Sequence, residues 1–272
     1  MHAMPFRPVL WLATLFQLLL AGYAAAQTST CLAVAGNEFM PRVIPAAFAP
    51  GELGDDEVGI TYVGHSAFRI ETPKGVAIVT DYAGYSGEGR LPDVVTMNHA
   101  HSSHYTSTPN PAIPHVLPGW NPDGANPVEH RLQLDDVLIR NVSTDLYYDG
   151  AMLEKDGNSI FIFEVAGLCI GHLGHLHHKL TPEHIARIGR LDILFVPVDG
   201  TYTMSLAGMI KLAGQLRSSM VIPMHFFSTY TLQRFIAGMA GKFETVMADG
   251  SSTKVSLKTL PARPQVMVLS PY

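Results

Sequence analysis

The segment Asn98-His-Ala-His-Ser-Ser-His104 constrains this chain more than any other. It follows Val94-Val-Thr-Met97, a short apolar run that reads as a buried strand. Three imidazoles, His99, His101 and His104, therefore leave one strand end on a single loop. Imidazole is the commonest metal-ligand side chain, and three on one short loop can converge on one cation without long-range folding. A solvated histidine-rich loop is the plainer account of any two of them. It loses ground because Gly171-His-Leu-Gly-His-Leu-His-His178 and Pro223-Met-His225 also follow strand-like runs. Thirteen histidines are the anomaly in the composition, and a metal site is the reading that uses them.

The rest of the composition narrows the partners. A formal charge of -5, with no Lys/Arg cluster or stripe, argues against nucleic acid and anionic membrane surfaces. A small-molecule substrate remains. Residues 1–26 read as a secretory signal: Arg7, an apolar stretch from Val9 to Leu20, and Ala24-Ala-Ala26 before Gln27. Export to the periplasm or beyond follows from it, with no later segment long enough to span a membrane. The two cysteines, Cys31 and Cys169, could pair in an oxidising compartment. Cys169 as a small buried hydrophobe serves equally well. Neither has Cys-x-x-Cys spacing, which disfavours a thiolate zinc site.

Residues 27–57 read as an irregular arm, and residues 58–272 as one domain. Short β-rich runs open that domain, at Gly59 to Val63, Ala67 to Glu71 and Val76 to Thr80. The stretch 111–126, dense in Pro and Gly, reads as a long loop. Leu132 to Val142, Ile160 to Val165 and Leu168 to Leu173 read as strands, with an exposed loop over 145–158. Helices are expected from Thr181, from Ser205 to Leu216 and from Thr231 to Met239, with buried strands between them. Strands first, then strand–helix alternation, suggests an α/β (α+β) helix-flanked β-sandwich.

The loop from Asn98 to His104 resembles the His-x-His-x-Asp-His loop of the metallo-β-lactamase-fold superfamily. Gly64-His-Ser66 resembles the opening strand of its lactonase-like branch, akin to ascorbate-6-phosphate lactonase, and Asp81 falls at the strand-end aspartate. The segment His172 to Leu180, Pro197-Val-Asp-Gly-Thr-Tyr-Thr203 and Ile222-Pro-Met-His225 resemble its later motifs. The resemblance implies a four-layer αββα sandwich with metal in a cleft at one edge. It implies His99 and His101 for one metal position, His104 and His225 for another, and Asp81 steadying a ligand imidazole from behind.

Three positions depart from the pattern. Ser103 stands for a liganding aspartate, His175 for the carboxylate that bridges two metals, and Thr144 lies near the place of another liganding histidine. Two dications ~3.5 Å apart repel by roughly 19 kcal/mol at an effective dielectric near 20, and bridging anions normally offset this. An imidazole supplies no such charge. One ion is therefore expected, from a pool of His99, His101, His104, His175 and His225, with His172 supporting or in the core. An all-imidazole set suits Zn²⁺, while Fe, Cu and Ni stay open. Neutral ligands leave full charge on the ion, so a bound water would titrate near pH ~7 and serve as hydroxide. That permits hydrolysis of an ester, lactone, amide or phosphodiester. His65, Asp145 and Tyr202 are candidates for the general acid by the family pattern, with ordinary structural roles the better account of each. His177 and His178 could cover the site mouth, with a solvated loop the better account of both. The competing class is a metal- or ligand-binding protein on a scaffold that no longer catalyses.

Overall fold

The computed structural model describes residues 29–32, 53–124 and 126–270. The expected signal, and all of the arm but residues 29–32 and 53–57, lie outside them. In chain order the first strands are β1 (Val58–Gly64), β2 (Ala67–Glu71), β3 (Ala77–Val79), β4 (Val94–Met97), β5 (His115–Pro118), β6 (Arg131–Leu134), β7 (Val137–Tyr148), β8 (Ala151–Val165) and β9 (Leu168–His172). Then come α1 (Pro182–Ile188), β10 (Ile193–Pro197), α2 (Leu206–Leu216), β11 (Met220–Met224), α3 (Thr229–Met239), β12 (Glu244–Met247), β13 (Ser252–Val255) and β14 (Gln265–Val268).

They form a six-stranded sheet, β13-β1-β2-β3-β4-β5, and an eight-stranded sheet, β12-β14-β11-β10-β9-β8-β7-β6. Strands β9, β10 and β11 pair in parallel. Each link between them must therefore cross over, and α1 and α2 are those crossovers. Strands β10 and β11 are buried along their whole length, which is why they read as unbroken apolar runs rather than alternating ones. The helices begin where the sequence places their caps. Thr181 and His184 form a reciprocal capping box on α1, and Ser205 accepts from the Gly208 amide on α2.

Three apolar clusters organise the layers. The largest lies between the sheets, where Ile60, Phe68 and Ile78 meet Phe161, Phe163 and Phe195. The Phe68 and Phe195 rings stack across it at 4.1 Å. Removing either ring would cost about 3–5 kcal/mol. A second cluster joins the outer face of the eight-stranded sheet (Leu194, Val196, Val221) to Met209, Leu212 and Phe235 of α2 and α3. The third covers the outer face of the six-stranded sheet with Tyr82, Ile113, Tyr105 and Trp120. Among the described residues, loops supply this layer, where the four-layer reading placed a second set of helices. The mixed α/β two-sheet class is as the sequence suggested. Among the described residues no helix is long and apolar enough to cross a membrane.

Three local expectations change. The expected loop over 145–158 is the paired outer half of a long hairpin, with β7 and β8 paired down to Tyr148 opposite Ala151 through register shifts on either side of Leu146. Its tip is solvated on both faces, so no apolar alternation marks it. The signal was Asp149-Gly150, both left-handed, as a two-residue hairpin turn requires. The stretch 111–126 contains β5, and Leu132 to Val142 divides at the turn between β6 and β7.

Cys31 and Cys169 are disulfide-bonded, with Cα atoms 5.8 Å apart. The same short segment is held by Glu164, which accepts from Ser29 Oγ at 2.6 Å and the Thr30 amide at 2.9 Å. Arg140 donates to Glu164 at 2.7 Å and to the carbonyls of Arg187 and Ile188 at the end of α1, also at 2.7 Å. Burial alone would raise the Glu164 pKa, but Ser29 and Arg140 outweigh it and hold the group below the ordinary value.

Candidate metal centre

The site is assembled at the carboxyl ends of β3, β4, β9, β10 and β11. Asp81 lies just past β3, His99 past β4, His175 past β9, Asp199 past β10 and His225 at the end of β11. Ligand crevices of sheets with parallel strands lie beyond those ends, where loops can diverge. His65 reaches the same point from the turn between β1 and β2, and its carbonyl accepts the His225 amide at 2.7 Å. His65, Asp81 and His225 share a left-handed backbone, each with φ 52°. That conformation costs on the order of 1–3 kcal/mol per non-glycine residue and tends to concentrate where side-chain aim matters.

His65, His104 and His225 each offer a nitrogen lying within 4.8 Å of the other two. His104 and His225 are stacked with centroids 5.0 Å apart, and their Nε2 atoms face each other at 3.1 Å. Their other nitrogens point at carboxylates. His104 Nδ1 donates to Asp81 Oδ2, which also accepts from Ser66 Oγ. His225 Nδ1 lies 3.1 Å from Asp199 Oδ1, at ion-pair distance but off the line of a good hydrogen bond. Asp199 is locked in turn, accepting from the amides of Thr201, Tyr202 and Thr203 and from the Thr203 hydroxyl at 2.6 Å.

Wider around this trio the same polarity repeats. His99 Nδ1 donates to the Gly157 carbonyl at 3.0 Å, leaving its Nε2 as a lone pair. His177 Nδ1 donates to the Tyr147 carbonyl, so its Nε2 must accept, and His175 Nδ1 donates to it at 2.7 Å. His175 Nε2 is thereby left as a lone pair as well. The His175 ring is 4.7 Å from that of His104 and 5.3 Å from those of His99 and His225. His101, exposed, holds Ser103 Oγ at 2.9 Å through Nδ1 and lies 6.2 Å from His99 and from His175, centre to centre.

Burial disfavours the charged form of His65, His99 and His175. It lowers His65 to about 4, helped by His225 and His104, and His99 to about 4 despite the Gly157 bond. It lowers His175 to about 2, with His104, His177 and His225 adding to the shift. Asp81 and Asp199 move the other way from what burial dictates. Hydrogen bonds and the neighbouring imidazoles hold both well below the ordinary carboxylate range.

This chemistry fits a cation. The Nε2 atoms of His104 and His225 lie 3.1 Å apart, a spacing that a shared cation would satisfy. The edge of a tetrahedron with Zn–N bonds of ~2.05 Å is roughly 3.3 Å, close to that spacing. His65 Nε2 is buried without a hydrogen-bond partner, as a ligand atom would be. No carboxylate oxygen belongs to the converging set; Asp81 and Asp199 stand behind imidazoles instead.

Several sequence expectations are reassigned here. His65, considered as a general acid, lies among the ligand-competent imidazoles. Asp145 accepts the Asp156 amide at 2.9 Å within the β7–β8 hairpin and is not in the converging set. His172 is fully engaged: Nε2 donates to the Ser66 carbonyl at 2.8 Å, and Nδ1 accepts from Asn98 and the Gly174 amide. It positions its neighbours and has no lone pair left for an ion. Thr144 accepts from Asn158 at 2.9 Å, and Asn158 Oδ1 receives the His175 amide at 2.8 Å. His177 is half-buried and aims His175, rather than covering the mouth as part of a solvated loop. Asp199 was not singled out as a site residue. Its only sequence signal was its place in Pro197-Val-Asp199 after a buried strand.

Residues 59–225 match the family described as the beta-lactamase superfamily domain. A metal-dependent hydrolase of Thermoplasma volcanium is 26% identical over 190 residues, covering 62% of this chain and 84% of the relative. One from Polaromonas is 24% identical over 226 residues, covering 68% and 82%. Among solved structures, one from Thermotoga maritima, assigned as a Zn-dependent hydrolase of the metallo-β-lactamase superfamily, is 28% identical. It superposes with a TM-score of 0.56 over 79% of this chain and all of the other. The chain belongs to the metallo-β-lactamase superfamily.

Proposed function

We propose that the protein is an exported metal-dependent hydrolase with one catalytic cation, zinc being the first candidate. The observation that carries this is the pair of Nε2 atoms of His104 and His225, 3.1 Å apart, each ring backed by a carboxylate. His65, His104 and His225 would hold the ion, with His175 the next nearest ring. A dication held there would supply Lewis-acid polarisation of a scissile carbonyl or phosphoryl oxygen and would lower the pKa of water toward ~7. Asp81 accepts from His104 Nδ1 and so leaves Nε2 of that ring free, while Asp199 sets a negative charge 3.1 Å from His225 Nδ1. Asn158, which accepts the His175 amide at 2.8 Å, holds the loop of His175 in place. Names carried by the relatives support hydrolysis, and esters and lactones are the substrates we favour. The Cys31–Cys169 disulfide supports export, since such a bond persists in oxidising compartments.

The test is elemental analysis of purified protein, followed by turnover of generic ester, lactone and phosphodiester substrates. One equivalent of ion, with hydrolysis lost on chelation and restored by metal, is the expected result. A stoichiometric ion with no turnover would instead favour a binding protein on the same scaffold.

A further inference from the structure

Phe227 stands two residues beyond His225, and its placement is unusual for so apolar a side chain. It is 64% exposed, yet its ring meets three others: His65 at 5.6 Å, His225 at 5.4 Å and Tyr202 at 5.6 Å. Tyr202 is itself 65% exposed. The ring is thus held against two of the three proposed ligands while it remains open to solvent. A large aromatic in water gains little unless something covers it, and aromatic surfaces next to a reactive centre are where apolar groups are recognised.

The electrostatics select among substrates. The groups that converge with His65 are the imidazoles of His104 and His225, with the carboxylates Asp81 and Asp199 behind them. Phosphoryl groups are ordinarily recognised by bidentate arginine, lysine or a backbone nest. An imidazole cluster backed by two carboxylates and walled by phenyl and phenol rings suits an uncharged group instead.

We infer that Phe227, with Tyr202, forms the specificity wall of the site. It seats the aryl or alkyl portion of a neutral carbonyl substrate, an ester or lactone, while the reacting carbonyl lies over His65, His104 and His225. This rests on the metal-site reading above. Phe227 positions substrate and takes no part in proton transfer.

Calorimetry on the full mature chain loaded with zinc tests it without relying on turnover. The probes are benzohydroxamate, acetohydroxamate and phenylphosphonate, with metal content measured on each sample. Wild type prefers benzohydroxamate over acetohydroxamate, and Phe227→Ala lowers that preference about tenfold. Phe227→Leu lowers it less. Met247→Ala, which removes an equally exposed apolar side chain from edge strand β12 (63% exposed), leaves it unchanged. Phenylphosphonate binds at least tenfold more weakly than benzohydroxamate. A preference that survives in Phe227→Ala overturns the wall, and tighter binding of the phosphonate overturns the neutral-carbonyl assignment. Wild-type protein that takes up no zinc is distinguished by the elemental analysis. That result overturns the metal-site reading, and this inference with it.

Discussion

His104 and His225 come from opposite sheets, 121 residues apart, and meet Nε2 to Nε2 at 3.1 Å with stacked rings. Nothing local to either residue produces this. It requires the β3–β4 side of one sheet and the β10–β11 side of the other to close on the same point. The carboxylates behind the two rings, Asp81 and Asp199, come from the neighbouring strand ends, β3 beside β4 and β10 beside β11.

Substituting those carboxylates should loosen the metal without removing a ligand. Asp81→Asn and Asp199→Asn are expected to weaken zinc binding about 10–100-fold. Competition against a chromophoric chelator reads this directly. Asp199→Asn also disturbs the Thr201–Thr203 turn, so circular dichroism should accompany the titration.

The apo-protein should lose stability as pH falls below about 6.5, the ordinary histidine value. His65, His99 and His175 have folded-state values pressed below it, to about 4, 4 and 2, by burial first. The unfolded chain therefore binds more protons than the folded one throughout this window, and unfolding free energy decreases with each step down in pH. Each ring contributes a slope of at most about 1.4 kcal/mol per pH unit. Asp81 and Asp199 act in the same sense at lower pH, because their stabilisation is present above the ordinary carboxylate value and is lost as they protonate. Denaturant midpoints from pH 8 to pH 4, taken with chelator present, check the sign. A flat profile would contradict it.

Much of this centre was readable in the chain, and the unread parts share one cause. The loop from His99 to His104 is local, so its spacing suggested a metal site, and of its three imidazoles His104 lies in the converging set. His225 announced itself by following a buried strand. His65 carried only a family resemblance, because its neighbours in space are 39 and 160 residues away in sequence. Asp199 and His177 were missed as partners for the same reason: the ring each one turns is fixed by topology. The hairpin at 145–158 was missed because a strand solvated on both faces has no apolar period.

Gly174 illustrates how tightly the supporting network is packed. Its φ is +59°, and a Cβ there would fall 2.5 Å from both Asn158 Oδ1 and Asn98 Nδ2. Gly174→Ala should cost about 2–4 kcal/mol from left-handed strain and overpacking. It should also displace His175, so thermal denaturation and zinc affinity should both decline.

Removing the disulfide by Cys31→Ser with Cys169→Ser should lower stability by about 2–5 kcal/mol. The cross-link closes a separation of 138 residues and pins the segment that Glu164 grips. Unfolding of the oxidised and double-mutant proteins in urea measures the difference. Zinc affinity of the folded variant should hold, since the bond lies outside the metal centre.

The most direct test of the account is equilibrium dialysis against zinc with elemental analysis of the retained protein. One ion per chain is predicted for the wild type, with affinity reduced at least ~100-fold in His104→Ala and in His225→Ala. A wild-type chain that retains no zinc, or one whose retention is indifferent to both substitutions, would contradict it.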